Sequence, residues 1–126
     1  ENINPTLIIE NVPEGVKSLV LIMDDPDATG GVTWDHWLLW NIPPETKEIS
    51  ENSAPVGAIQ GKTSWGTNKY GGPCPPKGHG PHRYMFKLYS LDTTLDLSSD
   101  STKADLEKAI KSHILSQAVL MGKYGR

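Results

Sequence analysis

The sequence predicts a mainly β domain with a single helix near the C-terminus. Three observations support this prediction: most apolar segments are short and lie between glycine and proline turns, only one segment has helical periodicity, and the 126 residues suit one domain. There is no internal repeat, low-complexity tract or linker, so residues 1–126 are predicted to form a single domain.

Two strands are predicted before the first polar loop. Residues 6–10 are short and apolar, and residues 12–15 form a turn in which proline fixes φ and glycine permits a positive φ. Residues 17–24 are mostly aliphatic and too short for a typical helix. This second segment therefore predicts a central strand that is buried on both faces.

The next strand is predicted over Trp34–Ile42, and the pair Pro43-Pro44 ends it. Side chains along a strand alternate between the two faces of a sheet. On this basis one face receives His36, Leu38 and Trp40, and the other receives Trp37, Leu39 and Asn41.

Residues 43–81 are predicted to be mostly irregular, with short strands around 54–60 and 63–65. An irregular connection of this length inside a compact domain is usually functional. It leads into His82–Leu91, a strand whose alternation places Tyr84, Phe86 and Leu88 on one face.

The one helix is predicted to begin after Thr102, because Thr102 and Asp105 have the spacing of a capping box. The apolar face that follows has helical spacing and comprises Leu106, Ala109, Ile110, His113 and Ile114. Residues 117–121 are predicted to form a last strand.

The composition excludes some classes of protein. The longest apolar run, residues 19–23, is far shorter than the roughly 18 residues of a membrane-spanning helix. A single cysteine excludes an internal disulfide, and no leader is visible at the N-terminus, so we expect a cytoplasmic protein. Glu1 is not a natural start, which makes additional upstream residues a further expectation.

Charge is unevenly distributed along the chain. The net charge is −3, yet no acidic residue lies between Glu51 and Asp92, a span that contains five lysine or arginine residues. A basic tract in an acidic chain predicts a local anion site rather than a nucleic-acid surface. A solvated loop face with a chance bias of sign is an equally weighted alternative.

Three polar clusters are candidates for function. Asp25 and Asp27 follow the buried strand, His36 lies in a strand of large apolar groups, and His82 and Tyr84 follow a loop rich in glycine and proline. Each cluster has a structural alternative: a turn that binds its own backbone for the aspartates, a hydrogen-bonded core imidazole for His36, and a stiff surface loop for the third.

Together the three clusters resemble the phosphatidylethanolamine-binding protein family, in particular its bacterial and archaeal branch, often called Raf-kinase-inhibitor-like. The resemblance rests on Asp25-Pro-Asp27-Ala, on His36 in a strand that ends Asn41-Ile-Pro, and on Gly72-Pro-Cys-Pro-Pro-Lys-Gly-His-Gly-Pro-His-Arg-Tyr84. It extends from Glu1 to Arg126 in the same order and spacing.

The resemblance implies a two-sheet β-sandwich with one late helix and a small surface pocket for phosphate-type anions, such as a lipid head group. By motif position the pocket residues are Asp25, Asp27, His36, Gly72, Pro75, Pro76, His82 and Tyr84. It also implies that a family strand ahead of Glu1 is missing and that no C-terminal lid helix follows.

Carboxylates in an anion site need not touch the anion. A nearby aspartate raises the pKa of a histidine by favouring its charged form, and it fixes the orientation of the ring. His36 and His82, held in this way, would each offer an N–H donor, and backbone N–H groups of the loop would add neutral donors. Arg83 alternates away from Tyr84 and is placed outside the pocket.

These features predict a non-enzymatic module that binds a small phosphorylated ligand and regulates a protein partner such as a kinase or a protease. The first alternative is a metal-binding protein or metallohydrolase that uses Asp25, Asp27, His36 and His82, with Cys74 as a further ligand. The second is an interaction inhibitor that acts through the loop at residues 52–80. No catalytic residue, metal or cofactor is assigned, no nucleic-acid partner is expected, and a homodimer stays open.

Overall fold

The computed structural model describes residues 3–28, 30–73 and 82–124. Its elements, in chain order, are β1 (Leu7–Ile8), β2 (Ser18–Asp25), β3 (Trp34–Ile42), β4 (Glu48–Ile49), β5 (Ile59–Gln60), β6 (His82–Leu91), α1 (Lys103–Ile110) and β7 (Ile114–Tyr124). Across these ranges the strands form two antiparallel sheets, a pair β1-β4 and a five-stranded sheet in the order β5-β3-β2-β6-β7. The predicted mainly β fold with one late helix is confirmed.

Strand β2 is the centre of the larger sheet, between β3 and β6. All eight of its residues are buried, which explains why its sequence is nearly continuous in aliphatic residues rather than alternating. The predicted central strand is confirmed, with bounds shifted by one residue.

Two hydrophobic clusters cover the two faces of this sheet. Leu21 and Met23 of β2 belong to a cluster that includes Ile49 of the small sheet, which we call the sheet-side cluster. Val20 and Ile22 belong to a second cluster with Leu106 and Ile110 of α1, the helix-side cluster. Alternation along β2 thus gives each face its own core.

Helix α1 begins as predicted but ends earlier. Thr102 and Asp105 form the capping box in both directions, and the helix ends at Ile110. The prediction that His113 and Ile114 continue its apolar face was wrong, because Ile114 pairs with Leu91 and starts β7. Strand pairing between β7 and β6 replaces the additional helical turn that the local periodicity predicted at His113 and Ile114.

Strand β7 is longer than the predicted 117–121 and is the outermost strand of the described sheet beside β6. Leu115, Val119, Leu120 and Met121 on this strand are exposed. No helix within the described ranges is long and apolar enough to cross a membrane.

The long irregular connection contains one of the two short strands predicted for it. Ile59 and Gln60 pair with β3 as β5. The prediction of a strand at 63–65 was wrong, because these residues form a turn. The backbone N–H of Thr63 donates to the carbonyl of Thr67, and the N–H of Gly66 donates to the carbonyl of Thr63. This turn carries Trp65 towards the start of β3, where its ring contacts Trp34 and His36.

Candidate functional site

A bulge at the start of β3 determines where His36 points. Met23 of β2 pairs with Trp37 and Asp24 pairs with Asp35, so the register shift leaves His36 without a partner on β2. A bulge inserts one residue and re-aims its side chain. The imidazole of His36 contacts the ring of Tyr84, a member of the sheet-side cluster, with centroids 5.3 Å apart. The prediction that grouped His36 with Leu38 and Trp40 was therefore wrong.

His36 is buried and held by one backbone group. Its Nδ1 lies 2.7 Å from the carbonyl oxygen of Gly71, and the N–H of Gly71 donates back to the carbonyl of His36 at 3.0 Å. Because a carbonyl can only accept, Nδ1 carries the hydrogen and Nε2 is the basic nitrogen of the neutral ring. The core-imidazole alternative describes this contact correctly.

Burial lowers the pKa of His36 below its ordinary value of 6.5. The hydrogen bond to the Gly71 carbonyl and the charges of Asp25, Asp24 and Asp35 act in the opposite direction but are smaller in effect. The neighbouring aspartates raise the pKa of His36 as expected, but desolvation outweighs them and the net shift is downward.

Asp25 joins the end of β2 to the start of β6. Its Oδ2 accepts from Nδ1 of His82 at 2.8 Å, and both side chains are only 4% exposed. Its Oδ1 accepts from the backbone N–H of Asp27 at 2.8 Å. The turn alternative is thus correct for one oxygen, while the other oxygen fixes the imidazole of His82.

Asp27 is engaged by Arg83, which the sequence analysis had placed outside the pocket. The carboxylate accepts from the backbone N–H, Nε and Nη2 of Arg83 at 2.9, 2.9 and 2.8 Å. These contacts hold the pKa of Asp27 far below its usual range and raise the pKa of Arg83. Arg83 therefore lies beside the candidate site, and the opposite charges of the two motifs were the signal for this pair.

Tyr84 connects the two histidines. It is buried, contacts His36 edge to face, and stacks with His82 at a centroid distance of 6.3 Å and an interplanar angle of 26°. The structure thereby brings together Asp25, His36, His82 and Tyr84.

Two of the remaining predicted site residues, Asp27 and Gly72, adjoin this group of side chains. Asp27 adjoins the histidine and tyrosine group through Asp25 and Arg83, and Gly72 is buried directly after Gly71. Pro75 and Pro76 lie outside the described residues, as do Cys74 and His79.

Trp65 is a neighbour of the site that the sequence analysis did not single out as functional. Its ring lies 4.9 Å from that of His36 at 84°, and 5.6 Å from that of Trp34 at 76°, while 45% of the residue stays exposed. A Cβ on Gly71 would clash with the Trp65 ring, so a larger residue there would have to displace the indole. The one available signal was an indole beside a glycine within a long irregular segment.

Within the described ranges, no group of three or more His, Cys, Asp or Glu side chains is arranged to hold a metal ion. Two of the side chains that the metal-binding alternative would use as ligands are hydrogen-bonded within the protein: Asp25 accepts from His82, and Asp27 accepts from Arg83.

Comparisons with known proteins agree with these motifs. The model of the family described as "Phosphatidylethanolamine-binding protein" matches residues 1–125. The chain belongs to this family. Family membership, deduced from three short motifs in the sequence, is thus confirmed.

Several relatives from archaea carry the name UPF0098 protein. One from Pyrococcus horikoshii is 47% identical over 131 residues that cover 99% of this chain and 66% of the relative, so this chain spans just under two thirds of its length. One from Methanothermobacter thermautotrophicus is 47% identical and is covered to 85%, with all of this chain matched.

Solved structures of family members share the fold. A phosphatidylethanolamine-binding protein homologue from Chlamydia trachomatis superposes with a TM-score of 0.91 at 38% identity, covering 98% of this chain and 82% of that one. YbcL of E. coli gives a TM-score of 0.92 at 34% identity, covering 99% and 81%. A carboxypeptidase Y inhibitor, solved with its cognate proteinase, gives 0.54 at 21% identity, covering 89% and 62%, which is a likeness of fold.

Proposed function

We propose that this chain binds a small phosphate-type anion and does not catalyse a reaction. The proposed ligand-binding residues are Asp25, Asp27, His36, Gly72, Pro75, Pro76, His82 and Tyr84. The observation that carries the proposal is the pair of imidazoles around Tyr84, each held through Nδ1 by a separate acceptor, the Gly71 carbonyl and the Asp25 carboxylate. Rings fixed in this way lose little freedom when a ligand binds.

The aspartates support this proposal because each is paired with a cationic or N–H group. Asp25 accepts from His82 and from a backbone N–H, and Asp27 accepts from Arg83. Their negative charges are therefore compensated by the groups that they orient, which reduces their repulsion of an anion. Members of the family are generally binding proteins rather than catalysts, which supports the same conclusion.

Proton uptake accompanies anion binding in this proposal. The neutral His36 has a basic Nε2, which accepts a hydrogen bond from a phosphate hydroxyl or takes up a proton when an anion arrives. An adjacent anion favours the imidazolium form, so affinity should rise as the pH falls towards the lowered pKa of His36. Sulfate isolates this effect, because it does not itself titrate near neutral pH.

Histidine NMR tests the proposal directly. Inorganic phosphate, O-phosphoethanolamine and sulfate are titrated at constant ionic strength, and ring signals are followed. The signals of His36 and His82 should move, while those of His113 should not, because His113 pairs with Asp92 at the opposite end of β6.

Matched variants complete the test. His36→Asn should weaken binding of all three anions, whereas His113→Asn should leave binding unchanged. Signals of His36 and His82 that stay fixed at millimolar phosphate would refute the proposal. The distant likeness to a carboxypeptidase Y inhibitor concerns the fold, so the proposal assigns no proteinase partner.

A further inference from the structure

Four charged side chains lie on the helix side of the sheet, behind the candidate site. Lys103, the first residue of α1, contacts Oδ2 of Asp24 at 3.2 Å and Oδ1 of Asp35 at 2.9 Å. Lys87 of β6 also contacts Oδ2 of Asp24, at 3.0 Å. We call these four residues the lysine–aspartate cluster.

Each aspartate of the cluster is the chain neighbour of a site residue. Asp24 precedes Asp25, and Asp35 precedes His36. Successive residues of a strand point to opposite faces of the sheet. Backbone movement at Asp24 or Asp35 would therefore reorient the side chain of the site residue that follows it, Asp25 or His36.

The cluster is largely removed from water. The side chain of Asp24 is 1% exposed, that of Lys103 is 17% exposed and that of Asp35 is 18% exposed. Buried charges require partners, and here two carboxylates meet two ammonium groups. Oδ1 of Asp24 has no hydrogen-bond partner within the described residues, so this carboxylate is paired through Oδ2, which contacts the two lysines.

The location of the cluster coincides with the bulge that re-aims His36. Asp24 and Asp35 are cross-strand partners in the register that follows the shift. Like charges directly opposite each other on neighbouring strands are destabilising. A slip by one residue would place His36 opposite Asp24, remove the bulge and send the imidazole to the other face.

We propose that Lys103 is a positioning residue for the anion site: by bridging Asp24 and Asp35, it holds the bulge that directs His36 towards Tyr84. The cation places an attractive partner between two carboxylates that would otherwise repel each other across the strands, in the register in which His36 meets Tyr84. The part of this inference that concerns ligand affinity rests on the proposed function, whereas the part that concerns the position of His36 does not.

The first experiment uses ligand-free protein. Nuclear Overhauser contacts between the rings of His36 and Tyr84 are measured in the wild type, Lys103→Met, Lys103→Arg and Lys108→Met. Lys108 lies on the same helix and is exposed, so it serves as the control. Lys103→Met should lose the contact, and the other two variants should retain it.

A second variant separates positioning from general stability. Asp35→Asn removes the cross-strand repulsion, so the double variant Lys103→Met/Asp35→Asn should recover the contact between His36 and Tyr84. If Lys103→Met fails to fold, recovery of both fold and contact in the double variant supports the proposal. An intact contact in Lys103→Met overturns it, as does a double variant that stays unfolded or folds without the contact.

Phosphate affinity supplies the final arm. Lys103→Met should bind inorganic phosphate roughly tenfold more weakly, the order expected when a group that orients a binding residue is lost. A wild type that does not bind phosphate would refute the proposed function, while the ligand-free measurements would still decide the role of Lys103.

Discussion

The two faces of the sheet shift the pKa of a basic side chain in opposite directions, although the same aspartates act on both. His36 on one face and Lys103 on the other are each desolvated, and each is influenced by Asp24 and Asp35. Burial dominates for His36 and lowers its pKa. Burial also opposes the charge of Lys103, but its contacts with Asp35 and Asp24 outweigh it and raise the pKa of Lys103.

The difference shows that direct contact with a carboxylate affects the pKa of a buried basic group more than a carboxylate that is only nearby. Lys103 meets both carboxylates at about 3 Å, whereas His36 spends its Nδ1–H on a neutral carbonyl. A buried group keeps its charge where a counter-ion touches it and loses charge where only neutral partners do. His36 is therefore the group of the site that burial keeps uncharged until an anion arrives.

The largest expected effect is on the free energy of unfolding, and it separates Asp25 from Asp24, its neighbour on the opposite face of the sheet. Asp25→Ala should lower the free energy of unfolding by about 2–4 kcal/mol, because it leaves the buried ring of His82 without its carboxylate. Asp24→Ala should cost less, since Lys87 and Lys103 are partly exposed and can extend towards water. Urea unfolding measures both, and equal losses would show that the two faces are not energetically different.

A smaller effect is expected where the site face is packed without charge. Gly71→Ala should cost about 1–3 kcal/mol, because the new Cβ meets the ring of Trp65. The double variant Gly71→Ala/Trp65→Ala should show less than the sum of the two single losses, since the clash is gone. Strict additivity in urea unfolding would mean that Trp65 does not pack on Gly71 in solution.

The smallest expected effect is a change in how stability depends on pH. The pKa of His36 is lower in the folded chain than its ordinary 6.5. The unfolded chain therefore binds more protons, and stability is lost as the pH falls from above 6.5 towards the lowered value. His36→Asn keeps an N–H donor for Gly71 but should lack this component of the slope, as measured by urea unfolding between neutral and mildly acidic pH. An unchanged slope would contradict the lowered pKa.

Local patterns were sufficient to predict most of the architecture. The aliphatic run of β2 predicted a strand buried on both faces, and the spacing of Thr102 and Asp105 predicted where α1 begins. The end of α1 was not predictable in this way, because pairing with β6 extends over most of β7 and takes Ile114 out of the helical pattern.

The candidate site was predictable as a set of residues but not as a geometry. The sequence motifs grouped Asp25, His36, His82 and Tyr84, and these four side chains are neighbours in the structure. Strict alternation then sent His36 to the wrong face, because a bulge depends on how two strands align and not on the sequence of either strand. The pairing of Arg83 with Asp27 was missed for a similar reason: it depends on a turn that brings the carboxylate of Asp27 beside β6.

The central position of β2 has a consequence for how the site responds to thermal fluctuation. Asp25 terminates a strand that is hydrogen-bonded on both sides and buried throughout, so it belongs to the most cooperative part of the fold. Local opening there should cost nearly as much as global unfolding, and slow amide exchange should extend to the edge of the site. A ligand bound there would raise the melting temperature by mass action, in proportion to the logarithm of its excess over Kd.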